Sequence, residues 1–338
     1  MRVGRRKAAL VTGATGAIGL PLIEALLMEG YSVRALVRAA LGSQMLPATV
    51  ETVVGDIGDR RTLTRAVEDV DTVFHLAAKL HLLVHDAESS LRDDYERVNV
   101  DATRTLAEVS RRTGVRRLVY FSTIAVYGPS RPGEILNEAS PPRPESVYAE
   151  SKLRGEAAAM HAFDVVILRL AAVYGRRVKG NYQRLVRSIQ RGRFMRLGRG
   201  TNRRTVVHQH DVARAAILAA EHAPSGGLYN VTDGEVHEVR DIVGAIAGAL
   251  GRRLIPGYLP VTPARFVIGM IEDALLRTGR RPAIGRHLID KLTEDVAVSG
   301  RRIQMELGFR STFDLAAGWR EALGPAMMRH LEPMAVGR

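Results

Sequence analysis

Gly13, Gly16 and Gly19 recur every third residue in a run of small side chains, Gly13-Ala14-Thr15-Gly16-Ala17-Ile18-Gly19. No other segment restricts the fold as strongly. The apolar run Ala8-Ala9-Leu10-Val11 leads into it and reads as a buried strand. Ile18, Leu22, Ile23, Leu26 and Leu27 follow on one helical face. A strand, a glycine turn and a helix, in that order, make the context of a dinucleotide-binding loop. Gly13 permits the tight turn, Gly16 a close approach of backbone to a pyrophosphate, and Gly19 close packing of helix on strand. The unpaired N–H groups of the first helical turn then face an anion, which the helix dipole favours there.

Strand-like segments continue at 33–37, 50–54, 72–76, 118–122 and 165–168. Helical stretches lie between them, notably Leu91 to Thr113 and Tyr148 to His161. This alternation predicts an α/β fold of the Rossmann type, a doubly wound parallel sheet with helices on both faces. Ligands of such sheets sit at the carboxyl ends of the strands. After about Gly175 the rhythm changes. Helical segments dominate, punctuated by Pro256, Pro260, Pro263 and Pro282. The chain of 338 residues is long for one domain and short for two large ones. The expected division is a nucleotide-binding domain over 1–175 and a smaller mixed substrate lobe over 176–338, some of whose segments return to the first domain.

The absence of cysteine excludes disulfides, thiolate metal sites and a thiol nucleophile. The ten histidines show no metal-binding spacing. His208 and His210 read as packing and polar contacts, and no metal is expected. The formal net charge is +13, nearly all of it from arginine. The arginines are scattered at helical surface spacing, with no basic run interleaved with aromatics, so nucleic acid is not the expected partner. An anionic small molecule is. The basic start, Met1 to Lys7, imitates an export signal, but the apolar part behind it carries the glycine loop and runs into a helix with Glu24 and Glu29. Export is therefore rejected and a cytoplasmic enzyme expected. No run approaches the length of a membrane span. Phe266 to Ile271 with Leu275 and Leu276 reads as a core helix, the alternative being an interfacial membrane face.

Tyr148-Ala149-Glu150-Ser151-Lys152 puts a phenol and an ammonium on one helical face. A tyrosine is a poor base at its reference pKa of about 10. A neighbouring ammonium, together with a cationic nicotinamide, is expected to lower that value. Thr123, at the end of the fifth strand and 25 residues earlier, can hydrogen-bond the same substrate oxygen. Thr123, Tyr148 and Lys152 form the candidate catalytic set.

This set and the glycine loop together resemble the extended short-chain dehydrogenase/reductases, the NAD(P)-dependent epimerase/dehydratase family of nucleotide-sugar epimerases, dehydratases and ketoreductases. Gly55-Asp56-Ile57, His75-Leu76-Ala77-Ala78, Asn99 within Val98-Asn99-Val100, Ser122 to Gly128, and Arg169 through Gly175 match it as well. The resemblance spans about residues 8 to 323. It implies cofactor contacts from Gly13, Thr15, Gly16, Ala17, Ile18, Gly19, Asp56, Ile57, Leu76, Ala77, Ala78, Asn99, Tyr148 and Lys152. Asp56 would hold the adenine amino group. It further implies a homodimer built on the Leu91–Thr113 and Tyr148–His161 helices.

In NAD-specific members the second strand ends in an acidic residue for the ribose hydroxyls. Here Val37 occupies that place and Arg38 follows, which suits a 2′-phosphate. NADP(H) is favoured, with NAD(H) the alternative. The expected substrate is a nucleotide sugar reduced at its 4-keto group, contacted by Lys79, Thr123, Asn181 and Arg204. Two positions depart from the sugar-nucleotide pattern: Ala172 stands where many epimerases carry asparagine, and Leu292 where an arginine grips the second phosphate. A 4-epimerase, a steroid or small-ketone reductase and a non-catalytic NADP sensor are the other readings.

Overall fold

A computed structural model describes residues 7–80, 88–177, 180–278 and 285–324. Strands β1 (Ala8–Thr12), β2 (Ser32–Val37), β3 (Glu51–Val54), β4 (Thr72–His75), β5 (Arg117–Thr123) and β6 (Val165–Leu170) are those expected from the apolar runs. Short strands β7 (Ala172–Tyr174), β8 (Arg196–Leu197), β9 (Arg203–Arg204) and β10 (Val206–His208) follow. Then come β11 (Leu228–Val231), β12 (His237–Glu238) and β13 (Tyr258–Leu259). Strand β11 joins the first six in a seven-stranded sheet of order β11-β6-β5-β4-β1-β2-β3, parallel at every pairing.

The first helices are α1 (Gly19–Met28), α2 (Ala40–Ser43), α3 (Arg60–Val67), α4 (Glu88–Tyr95), α5 (Ala102–Thr113) and α6 (Val147–Ala159). Those after β6 are α7 (Asn181–Gln190), α8 (Gln209–His222), α9 (Val239–Ala249), α10 (Val261–Arg277), α11 (Arg286–Thr293), α12 (Arg301–Leu307) and α13 (Leu315–Ala322).

A strand sends successive side chains to opposite faces, and both faces of this sheet are covered. Ala9 and Val11 of β1, Val119 and Phe121 of β5, and Val166 and Leu168 of β6 pack with Leu22, Leu26, Val212 and Ala216 of α1 and α8. Leu10, Leu118, Tyr120 and Ile167 face the other way, onto Leu63, Val67, Leu106 and Ala107 of α3 and α5. Double burial explains why these strands read as continuous apolar runs rather than alternating ones. A third cluster, with Tyr174, Val186, Ile189, Ile242, Ile246 and Trp319, forms a separate core among α7, α9 and α13.

Two expectations are corrected. The single helix over Leu91–Thr113 is divided by a π-helical segment, Glu96–Asp101, between α4 and α5. Such wider turns occur in helices chiefly at functional sites, and this one holds Asn99 with its side chain buried. The stretch read as a core helix is α10, and only Gly269 of it is buried. Its ion pairs lie at the surface: Arg265 pairs with Asp290 of α11 and Arg286 with Asp273. Among the described residues, no helix is long and apolar enough to cross a membrane.

Candidate active site

The glycine loop closes at the carboxyl end of β1. Gly13 has φ +69, and a Cβ there would lie 2.8 Å from the Ala77 nitrogen. The Gly16 amide donates back to the Gly13 carbonyl at 2.9 Å. A Cβ at Gly19 would strike the carbonyls of Gly13 and Ala14. Thr15 and Gly16 are exposed, while Ala17 and Ile18 are half-buried. No side chain caps α1 at Ile18. The first-turn N–H groups therefore keep their hydrogen-bonding capacity beside exposed Gly16, which fits the pyrophosphate of a dinucleotide.

The next two strands end in open polar groups. Arg38, just past β2, is exposed and makes no hydrogen bond or ion pair among the described residues. Asp56, just past β3, is exposed and accepts the Gly58 amide at 2.7 Å through one oxygen. The other oxygen is available to a donor. Ile57 beside it is buried.

Beyond β4 the polar groups join in a directed chain. The Thr103 hydroxyl donates to the Asn99 carbonyl at 2.8 Å. Its oxygen is then the acceptor for His75 Nε2, 2.9 Å away. His75 Nδ1 is left to accept from the Thr12 hydroxyl at 2.7 Å, and the Thr12 oxygen accepts the Ala77 amide. These constraints fix the Nε2–H tautomer of His75. Burial, with the Lys152 charge second, pushes the His75 pKa down to about 3. The chain holds the Leu76-Ala77-Ala78 segment against the glycine loop.

Asn99 carries the connection onward. Its Oδ1 accepts the Lys79 amide at 2.7 Å, and its Nδ2 donates to the Lys79 carbonyl and to Ser151 Oγ. The Ser151 hydroxyl donates to the Tyr148 carbonyl at 2.8 Å. Ser146 caps α6 through the Ala149 amide. The turn that bears Tyr148 is thus pinned at both its start and its side.

Helix α6 packs on β5 and on the 3-10 turn Ile124–Tyr127, which brings Tyr148 and Lys152 to the end of β5. Thr123 is half-buried there, and its Oγ1 accepts the Ala125 amide at 3.2 Å. Its proton is consequently free to point at a substrate oxygen. Lys152 is 2 % exposed. Its ammonium stands 4.1 Å from the centre of the Tyr120 ring, a cation–π contact. Burial pulls its pKa down to about 7, with Glu156 acting the other way. The Tyr148 ring lies 6.1 Å from that of Tyr95.

In the protein alone, burial pushes the Tyr148 hydroxyl up to about 12, and Tyr95 adds to the rise. Desolvation disfavours the charged form of both partners, so the phenol holds its proton firmly. Beneath the pair, Glu156 binds Arg169 through both carboxylate oxygens and accepts the Ser122 hydroxyl. This buried network anchors α6 to β5 and β6.

The residues expected at the substrate are more dispersed. The Lys79 ammonium pairs with Asp94 at 2.6 Å. Asn181 is exposed at the first turn of α7. Arg204, on β9, donates through Nη2 to the Lys291 carbonyl and has Glu294 at 3.8 Å from Nη1. That Nη1 is buried without a hydrogen-bond partner. Burial lowers the Arg204 pKa, while Glu294 and Tyr182 oppose the change. His208 is fully buried, with its Nε2 2.9 Å from Glu321. The sequence reading missed Tyr95, Tyr120 and Ser151. Only Ser151 carried a signal, lying inside the Tyr148–Lys152 segment.

The profile of the NAD dependent epimerase/dehydratase family matches residues 9–232. The chain is 30% identical over 88% of its length, and 90% of the relative's, to the 4-hydroxy-2-methyl-3-oxo-4-farnesyl-3,4-dihydroquinoline-1-oxide ketoreductase of Stigmatella aurantiaca. It is 25% identical, over 91% of this chain and 92% of the relative, to an N-acetyl-alpha-D-glucosaminyl-diphospho-ditrans,octacis-undecaprenol 4-epimerase of Escherichia coli O157:H7. Among solved structures, the UDP-glucose 4-epimerase of Thermus thermophilus in complex with NAD is 28% identical and superposes with a TM-score of 0.73, covering 94% of this chain and 97% of that one.

Proposed function

Because the chain belongs to the NAD dependent epimerase/dehydratase family, and is an NAD(P)-dependent enzyme of the short-chain dehydrogenase/reductase type, we propose that it is an NADP(H)-dependent ketoreductase acting on the 4-keto group of a nucleotide sugar. The observation that carries the proposal is the placement of Tyr148 and Lys152 on α6, packed against the end of the strand that presents Thr123. A bound nicotinamide dinucleotide supplies the hydride that reaches the carbonyl carbon. Thr123 donates a hydrogen bond to the carbonyl oxygen and orients it. Tyr148 gives that oxygen its proton, completing the alcohol. Lys152, four residues on along the same face, compensates the phenolate left behind and binds the nicotinamide ribose.

The first-turn amides of α1, reached across Gly13, Gly16 and Gly19, would hold the pyrophosphate. Asp56 would hold the adenine amino group. Arg38, exposed and unpaired among the described residues, supports NADP(H): a free guanidinium matches a 2′-phosphate in charge and shape. The orphaned Nη1 of Arg204 supports an anionic group on the substrate. In this reading the segment after residue 175 supplies the substrate lobe, and α5 and α6 supply the contact of a homodimer.

A second reading, reduction of a lipophilic ketone, is favoured by the pairing of Lys79 with Asp94 and by the resemblance to a farnesyl-quinoline ketoreductase. NADPH oxidation measured with a 4-keto UDP-sugar and with a prenylated ketone separates the two. Turnover of the sugar alone supports the proposal, and turnover of the prenylated ketone alone replaces it by the second reading. Interconversion of UDP-sugar epimers with no net NADPH consumption makes the protein an epimerase.

A further inference from the structure

Helix α10 departs from an ordinary surface helix in turning a broad apolar face to solvent. Pro263, Phe266, Val267, Met270, Ile271 and Ala274 recur at i, i+3, i+4, i+7, i+8 and i+11. At 3.6 residues per turn they form one stripe. The four largest are exposed, Phe266 to 68% and Met270 to 59%. Its charged residues sit beside the stripe and pair with α11 at the surface. Arg265 binds Asp290 with two hydrogen bonds, Arg286 binds Asp273, and the Arg286 amide donates to Glu272. The stripe continues into exposed Tyr258 and Leu259, just ahead of the helix. Scattered apolar side chains on a surface need no explanation, but an ordered stripe marks a docking face.

We infer that this stripe lies in the interfacial region of an anionic lipid bilayer, parallel to its plane. A helix of 17 residues carrying Arg265, Glu272, Asp273 and Arg277 is too short and too charged to span one, yet it matches the dimensions of a helix resting in the headgroup boundary. Charge selects the occupant. The chain carries a formal net charge of +13, and Arg277 ends the stripe. That charge draws the protein to anionic headgroups. The placement also relates the surface to the site. Helix α11 packs on α10 and offers its Lys291 carbonyl to Arg204, so one helix separates the lipid face from the expected substrate residue. Lipid docking stands whether the substrate is a nucleotide sugar or a lipophilic ketone.

The test is co-sedimentation of the full chain with vesicles of phosphatidylcholine alone and of phosphatidylcholine with phosphatidylglycerol, at low and high salt. The wild type is expected to pellet with the mixed vesicles, less with phosphatidylcholine alone, and less again at high salt. Phe266→Glu/Ile271→Glu is expected to weaken binding at least tenfold while leaving thermal unfolding and NADPH affinity unchanged. Met270→Ser, a milder change on the same face, is expected to weaken it by a smaller factor. Wild-type protein that stays in the supernatant with both vesicles at low salt overturns the inference. So does a double variant that folds and pellets as the wild type does. A wild-type dimer that the variants dissolve, with no vesicle binding, assigns the stripe to a second copy instead.

Discussion

Asn99 donates through Nδ2 to the Ser151 hydroxyl at 2.9 Å, and this bond ties the end of β4 to the helix that carries Tyr148. Asn99 holds the Lys79 backbone with the rest of its amide, and Ser151 passes its own proton to the Tyr148 carbonyl. Asn99→Ala strips partners from buried polar groups, at a cost of about 1–3 kcal/mol in stability. Loosening the Tyr148 turn is expected to lower kcat about tenfold or more, because misplacement of a reacting group is costly. Urea unfolding and steady-state turnover measure the two effects. Lost stability with an unchanged kcat would show that Asn99 supports the fold and not the catalytic turn.

Tyr148→Phe keeps the ring and removes only the proton donor. Dinucleotide binding is expected to persist, and kcat to fall about 10²–10⁴-fold. Titration of NADPH fluorescence and single-turnover kinetics distinguish binding from chemistry. A variant that turns over at the wild-type rate removes Tyr148 from the role of acid.

Arg38 is exposed and has no partner among the described residues, so its charge is available to a cofactor. Arg38→Asp is expected to weaken NADP(H) roughly 10–100-fold, the scale of a lost charge-assisted hydrogen bond. NAD(H) is expected to bind equally well or better. Direct titration of both cofactors against both proteins checks this, and a wild type that prefers NAD(H) sinks the assignment at once.

The sheet was legible because its strands are buried on both faces and stand out as apolar runs. The glycine loop was legible because its geometry needs those residue types at those positions. The chain of contacts around Asn99 was not, since Thr12, His75, Thr103 and Ser151 are far apart in sequence and meet only through the parallel strand order. The π segment was hidden because the pattern from Leu91 to Thr113 runs through it without a break. For α10, the apolar run that reads as a core helix held no information about which side the rest of the protein would cover, and Phe266, Val267, Met270 and Ile271 are exposed. The pairing of Lys79 was hidden for a related reason, as its partner Asp94 comes from a helix packed beside it.

His75 makes a prediction about pH. Its folded pKa is pushed down to about 3, against about 6.5 when unfolded. Between those values the unfolded chain binds more protons, so stability falls as pH drops through this window. Above about pH 6.5 His75 contributes no slope. Within the window its contribution is at most about 1.4 kcal/mol per pH unit. Nitrogen-detected NMR is expected to show a neutral imidazole protonated at Nε2 down to pH 4, about one unit above the shifted value. An imidazole that titrates near its ordinary value would contradict the buried relay.

Arg204 tests the substrate class as well as the residue. Its guanidinium is fastened on one side by the Lys291 carbonyl, and its other terminal nitrogen is buried without a hydrogen bond. Glu294 stands 3.8 Å away, beyond hydrogen-bond distance, and burial raises its pKa. An anionic substrate group would supply the missing acceptor. If that group is a sugar diphosphate, Arg204→Ala is expected to raise KM about 10–100-fold with a smaller change in kcat. Reduction of a ketone without phosphates is expected to change little, because such a substrate never engages the guanidinium. Equal losses on both substrates, with a lower unfolding temperature, would mean that Arg204 serves to join β9 to α11. An unchanged KM for the sugar nucleotide, in a protein that still reduces the lipophilic ketone, would transfer the enzyme to the second reading and leave the Tyr148 chemistry as it stands.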